Sequence, residues 1–125
     1  MVRIGVFESD LADQFLYKQA LLNRNEPVEF AFFKSVNDAS LAVGNGEVDI
    51  LIIELHYLGS NMGLNILQRM KAIAPYEFTA IAVTSLLQEG DLERIFRGGF
   101  HACVEKPFIF EQLALHNFHN QARLQ

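Results

Sequence analysis

Short, continuously apolar runs separated by amphipathic stretches recur five times along the chain. RIGVF (residues 3–7), VEFAFF (28–33), the VDILIIE run at 48–54, FTAIAVTS (78–85) and HACVE (101–105) have the length and β-branched or aromatic content of buried strands. Helical patterns fill the intervals. Asp10 stands where an N-cap belongs, with Asp13 three residues on as a partial capping box. Leu11, Phe15, Ala20, Leu21 and Leu22 make an imperfect stripe that Pro27 closes. Ser35 and Asp38 have capping-box spacing before a short helix that stops at Gly44 and Gly46. Residues 63–74 place Leu64, Leu67, Met70 and Ile73 on one face before Pro75. EGDLERIFRGG supplies a helix with Leu92, Ile95 and Phe96 inward, and residues 110–124 form the last helix.

Five strand–helix alternations without linker, repeat or low-complexity tract predict one α/β domain over residues 1–125, a doubly wound parallel sheet with helices on both faces. In such sheets, sites form outside the carboxyl ends of the strands. Glu8, Ser9 and Asp10 follow the first strand, Glu54 ends the third, Thr84 and Ser85 end the fourth, and Lys106-Pro107 follows the fifth. Acids, hydroxyls and one lysine are therefore brought to one edge, and that convergence is the functional signal.

Composition narrows the classes. Half of the 125 residues are hydrophobic and 20% are charged, enough apolar content to bury a core. The net charge of −5 weighs against direct nucleic-acid binding, which calls for a basic face. A single cysteine, Cys103, forms no internal disulfide and fits a reducing, cytoplasmic setting. No window approaches the roughly 18 uncharged apolar residues of a membrane span, and the N-terminus lacks a signal-peptide pattern.

In order and spacing, Glu8-Ser9, Glu54, Thr84 and Lys106-Pro107 resemble the receiver domain of two-component response regulators across essentially the whole chain, and GGFHACVEKPF is similar to that family's GADDYLTKPF. The resemblance implies a flavodoxin-like (βα)5 fold with strand order 2-1-3-4-5. It makes Glu54 the phosphoacceptor equivalent and Glu8, Ser9 and Asp10 the acidic pocket. Thr84, Lys106, Pro107 and Cys103 become the switch and phosphate-contact equivalents, and the Lys106–Pro107 bond is expected to be cis. Partners would be a histidine kinase or an output domain, met through the fourth helix, fifth strand and last helix, or a second copy of the chain. Phe108 and Phe110 would help form that face, with Glu93, Arg94 and Arg97 decorating it.

The departures from the family pattern sit in one pocket. Glu54 replaces the acceptor aspartate, Ser9 replaces a metal-binding acid, Cys103 replaces an aromatic switch residue, and the loop after the third strand lacks the usual proline and runs one residue longer. A glutamate carboxylate lies on the order of 1.5 Å further out, where a misplacement near 1 Å costs about 100-fold. Mg²⁺ wants near-octahedral oxygen coordination, and only Glu8 and Glu54 bring charge to the expected places, so Mg²⁺ binding is expected to be weak or absent. The implied protein is a non-enzymatic, degenerate receiver acting by protein–protein contact, with Glu54 reaching Lys106 as a partial phosphate mimic.

Two alternatives stay open: a conventional phosphoacceptor receiver, and a flavodoxin-like ligand-binding module. Against the second, the turn FESDLAD offers no glycine-rich phosphate cradle. Cys103 in an apolar strand reads as a small buried hydrophobe. His56 and His101 fall at opposite ends of the sheet. His116 and His119, three apart on the last helix, read as a solvated face.

Overall fold

The computed structural model describes residues 1–22, 27–59, 62–85 and 87–106. Its elements run β1 (Val2–Phe7), α1 (Leu11–Leu22), β2 (Val28–Phe32), α2 (Val36–Gly44), β3 (Ile50–Glu54), α3 (Met62–Ile73), β4 (Thr79–Thr84), α4 (Asp91–Arg97) and β5 (Ala102–Glu105). The strands form one sheet in the order β2-β1-β3-β4-β5, with every pair parallel. This is the flavodoxin-like order implied by the sequence. The expected helix over 110–124 and the residues Pro107, Phe108, Phe110, His116 and His119 lie outside the described residues.

Strand alternation divides the core into two layers. Phe7, Leu51, Ile53, Ala80 and Ala82 face α2, α3 and α4, meeting Ala39, Val43, Leu67, Met70 and Ile95. Ile4, Val6, Ile50, Ile52, Ile81 and Val83 face the other way, where α1 presents Tyr17, Ala20 and Leu21. β3 and β4 are buried along their whole length, as the central strands of a sheet covered on both faces must be.

Local signals behave as expected at the caps. Asp13 N–H donates to Asp10 Oδ1 at 2.9 Å, and Asp38 N–H donates to Ser35 Oγ at 3.1 Å. The expected inward stripes hold in part: Ala20, Leu21, Leu67, Met70 and Ile95 are buried, and other members on all three helices are not. Leu11, Phe15 and Leu22 of α1 are exposed, because Asp13, Tyr17, Ala20 and Leu21 form a competing 4-3-1 stripe and that one faces the sheet. On α4 only Ile95 is buried, while Leu92 and Phe96 lie half in solvent. On α3, Leu67 and Met70 are buried with Ile66, and Ile73 is exposed. Among the described residues, no helix is long and apolar enough to cross a membrane.

The loop after β3 is held from both sides. Leu55 and Tyr57 are buried, with the Tyr57 ring edge-on to Phe7 at 5.3 Å. Gly63 opens α3 against this loop, its N–H donating to Leu55 O at 2.8 Å. A Cβ on Gly63 would sit 2.8 Å from Leu55 Cα and 3.0 Å from Leu55 O. Gly63→Ala is therefore expected to cost ~1–3 kcal/mol, since backbone must move to admit it. Gly44→Ala, with open space around its Cβ, should gain about 0.4–1 kcal/mol. Denaturant unfolding of the two variants reads both signs; equal effects would mean that the β3–α3 contact is loose in solution.

Candidate functional site

Alternation also decides which side chains meet at the carboxyl edge. Glu8 continues the Ile4–Val6 row, Glu54 the Ile50–Ile52 row and Lys106 the Ala102–Val104 row, so all three emerge on the α1 face. Thr84 continues Ala80 and Ala82 on the opposite face, as Cys103 does between Ala102 and Val104. Glu8, Glu54 and Thr84 are all buried. Thr84 carries the Lys106 N–H on its carbonyl at 2.7 Å, which fixes where the lysine leaves β5.

Glu8 is the centre of the cluster. Its side chain is only 3% exposed, and Oε1 lies 2.8 Å from Lys106 Nζ. The approach is an ion contact outside the angular range of a directed hydrogen bond. Oε2 accepts the Asp10 N–H at 3.2 Å, and the Glu8 carbonyl accepts from Gln14 Nε2 at 2.6 Å. The Lys106 ammonium donates a second, directed bond to Asp13 Oδ2 at 2.7 Å, across 93 positions of sequence. Burial alone would lower the lysine's proton affinity. The Asp13 hydrogen bond and the Glu8 carboxylate outweigh that and hold the ammonium above its usual pKa.

The expected Glu54–Lys106 ion pair is therefore replaced. Glu54 turns back onto its own loop, where Oε2 accepts the His56 N–H at 2.9 Å, and Lys106 pairs with Glu8 and Asp13. Two carboxylates on β1 and α1 satisfy one ammonium better than a single acid already held by a backbone donor. Glu54 still feels the lysine's charge. Burial raises its pKa, Glu8 raises it further, and Lys106 with the His56 N–H only partly offsets them. Asp10 is occupied as the α1 N-cap, and Ser9 is exposed. Cys103 is half-buried, and burial pushes its thiol up to about 11, so it is a protonated thiol at neutral pH. Pro107, the remaining site residue of the sequence reading, lies outside the described residues.

Asp13 is the residue that the sequence reading missed as part of the site. Its signal was the spacing to Tyr17, Ala20 and Leu21, which puts it on the inward face of α1. An acid facing a core at the site end of a helix needs a cation to meet it. Among the described residues, no group of three or more His, Cys, Asp or Glu side chains gathers as metal ligands. An ammonium already lies against Glu8 and Asp13, and the Ser9 side brings no charge.

No protein-family model and no curated protein matches the chain. Solved structures do, at low identity, and they share one fold, that of response regulator receiver domains. A response regulator from Thermotoga maritima superposes with a TM-score of 0.80 at 15% identity, covering 98% of each chain. The signal receiver domain of a DNA-binding response regulator from Colwellia psychrerythraea gives 0.78 at 24% identity over 100% of both chains. NtrX from Brucella abortus, determined in complex with ADP, gives 0.79 at 18% identity. The match covers 99% of this chain and only 28% of NtrX, so there the fold is one part of a longer protein.

Lys106→Met is expected to cost ~2–4 kcal/mol, because it strands two carboxylates in a site only partly open to water. In double-mutant cycles Lys106 should couple more strongly to Asp13, by more than about 0.5 kcal/mol, than to Glu54. Stronger coupling to Glu54, read by denaturant unfolding, would place the ammonium elsewhere.

A second expectation follows from Glu54. Its folded pKa lies above the unfolded one, so the ionised form weighs against the fold at neutral pH. That deficit closes as pH falls through the folded value. Glu54→Gln should be the more stable protein at pH 7, by under about 1 kcal/mol, with the two stabilities converging below about pH 4. A variant less stable at pH 7 would contradict this.

Proposed function

We propose that residues 1–125 form a receiver domain of two-component signalling that has left phosphorylation chemistry behind and works in the cytoplasm by protein–protein contact. The observation that carries this reading is the position of Lys106. A receiver lysine is useful to phosphotransfer when its amine can reach an acyl phosphate on the β3 acid. Here the amine is committed to Glu8 and Asp13, with Glu54 turned onto the His56 N–H.

Glu54 stands at the acceptor position as a glutamate that does not take a phosphoryl group, and Glu8, Ser9 and Asp10 form the former acidic pocket. Thr84 and Cys103 stand at the switch positions, Lys106 with Pro107 at the phosphate-contact positions. Mg²⁺ binds weakly at most, because a divalent ion at Glu8 and Glu54 would have to displace or repel the resident ammonium. The domain is a signalling module rather than an enzyme. It meets a kinase, an output domain or a second copy through the face carrying α4 and β5, where Leu92 and Phe96 are exposed and the ion pairs Arg94–Asp91 and Arg97–Glu93 supply charge.

Incubation with a small acyl-phosphate donor and Mg²⁺ is expected to leave the intact mass unchanged. Glu54→Asp alone should also stay unlabelled, since Lys106 remains held and the metal site incomplete; Glu54→Asp with Ser9→Asp restores the acids that chemistry needs. A stable gain of one phosphoryl group by the unaltered chain overturns the reading in favour of a working phosphoacceptor.

A further inference from the structure

At the opposite edge of the sheet, the amino ends of the strands line a half-open cavity of about 620 Å³, within the range of about 300–1,000 Å³ typical of small-molecule sites. It is lined by Lys71 from α3, Tyr76, Glu77, Phe78 and Thr79 leading into β4, and His101 leading into β5, with Asp49 beside them. Nothing in the acidic cluster touches it.

Lys71 and His101 bring donors to its wall, beside the Met1 terminus. His101 Nδ1 accepts the Ala80 N–H at 2.9 Å, and the His101 N–H returns to Ala80 O at 2.8 Å. That bond fixes the tautomer: the ring proton sits on Nε2. Burial, and then the Lys71 charge, lower the imidazole's proton affinity, so it is a neutral donor. Lys71 lies against the backbone of Gly99, whose φ is +108°. A Cβ there would fall 2.1 Å from Nζ and 3.0 Å from Cε. The lysine, an exposed side chain, thus lays its flexible end along Gly99.

Among the described residues, the Lys71 ammonium makes no hydrogen bond or ion pair. Of the nearby acids, Asp49 is already engaged by Arg3 through two side-chain bonds of 3.1 and 3.0 Å and the Arg3 N–H at 2.8 Å, while Glu77 is exposed at the rim. The Lys71 charge is felt at the His101 ring more strongly than that of Glu77, and an anion placed there would be met by both donors. The flat walls come from Phe78, which is buried, and Tyr76. Their ring centroids lie 6.2 Å apart, and the Tyr76 hydroxyl is bonded to the Val48 backbone, which fixes the ring.

We propose that this cavity binds a small organic carboxylate with a planar apolar body, its carboxylate taken by Lys71 Nζ and His101 Nε2–H and its body laid against Tyr76 and Phe78. Affinity for a minimal ligand should be weak, a Kd on the order of 1 mM.

The test is titration of the isotope-labelled full chain with benzoate, and separately with acetate and inorganic phosphate, followed by amide and imidazole nitrogen resonances. Benzoate is expected to give saturable shifts at Phe78, Thr79, Ala80 and His101 Nε2 and none at Glu8, Glu54 or Lys106. Lys71→Met should weaken it about ten-fold, and Glu77→Gln should tighten it. Absence of saturable shifts up to the solubility limit overturns the proposal, as does a Lys71→Met protein that binds benzoate unchanged. Acetate or phosphate binding as tightly as benzoate overturns the ligand class, since the aromatic walls would then contribute nothing.

Discussion

The site edge of this fold is organised by one buried carboxylate. Glu8 follows β1 inside the protein, 3% exposed, and an ionised acid there is intolerable without a cation and donors close by. Lys106 answers from the end of β5 and Asp10 from the start of α1. Because β1 and β5 are separated in the sheet by β3 and β4, the contact ties nearly the full width of the sheet together at its carboxyl edge. Asp13 then fastens the same ammonium to α1. A helix, an inner strand and a far strand are thus held by one charged group, which is why removing it should be felt as stability before anything else.

Much of this was legible in the sequence. The five apolar runs and the caps at Asp10 and Ser35 correspond to what is observed, strand boundaries moved by no more than a residue or two, and Glu8, Glu54 and Lys106 reach one face of the carboxyl edge with Thr84 on the other. What could not be read is where long side chains go once they arrive. Glu54 and Lys106 both reach the same face, and nothing in their spacing says that Glu54 folds back to the His56 N–H instead. Asp13 was visible only to a reader who chose the inward face of α1 correctly, and two stripes compete on that helix. Leu11, Phe15 and Leu22 are the more hydrophobic set; Tyr17, Ala20 and Leu21 are the set that packs.

The opposite edge follows the same logic with different chemistry. Arg3 and Asp49 close β1 onto the start of β3 with three bonds, Tyr76 clips the Val48 backbone, and His101 uses its ring nitrogen as a backbone acceptor at the β4–β5 crossover. Each binds main chain that a parallel sheet would otherwise leave unpaired at its strand ends. Lys71, whose exposed side chain ends against Gly99, has no such task among the described residues.

Seen together, the two edges differ in how their charge is balanced. At the amino edge, among the groups lining the cavity, cation and N–H donors exceed the acids free to meet them. At the carboxyl edge, Glu8, Asp13 and Glu54 share a single ammonium, and the imbalance falls on the member with the weakest claim on it. That member is Glu54, whose proton affinity is raised first by burial and then by Glu8. In a receiver that uses Mg²⁺, a divalent cation would absorb that surplus, and the lysine would remain available to the acceptor. On the reading proposed here, the extra methylene of Glu54 lets its carboxylate reach a backbone donor two residues on. The lysine can then serve the other two acids continuously. A site balanced in that way needs neither metal nor phosphate to hold its shape, and a partner would meet one constant surface.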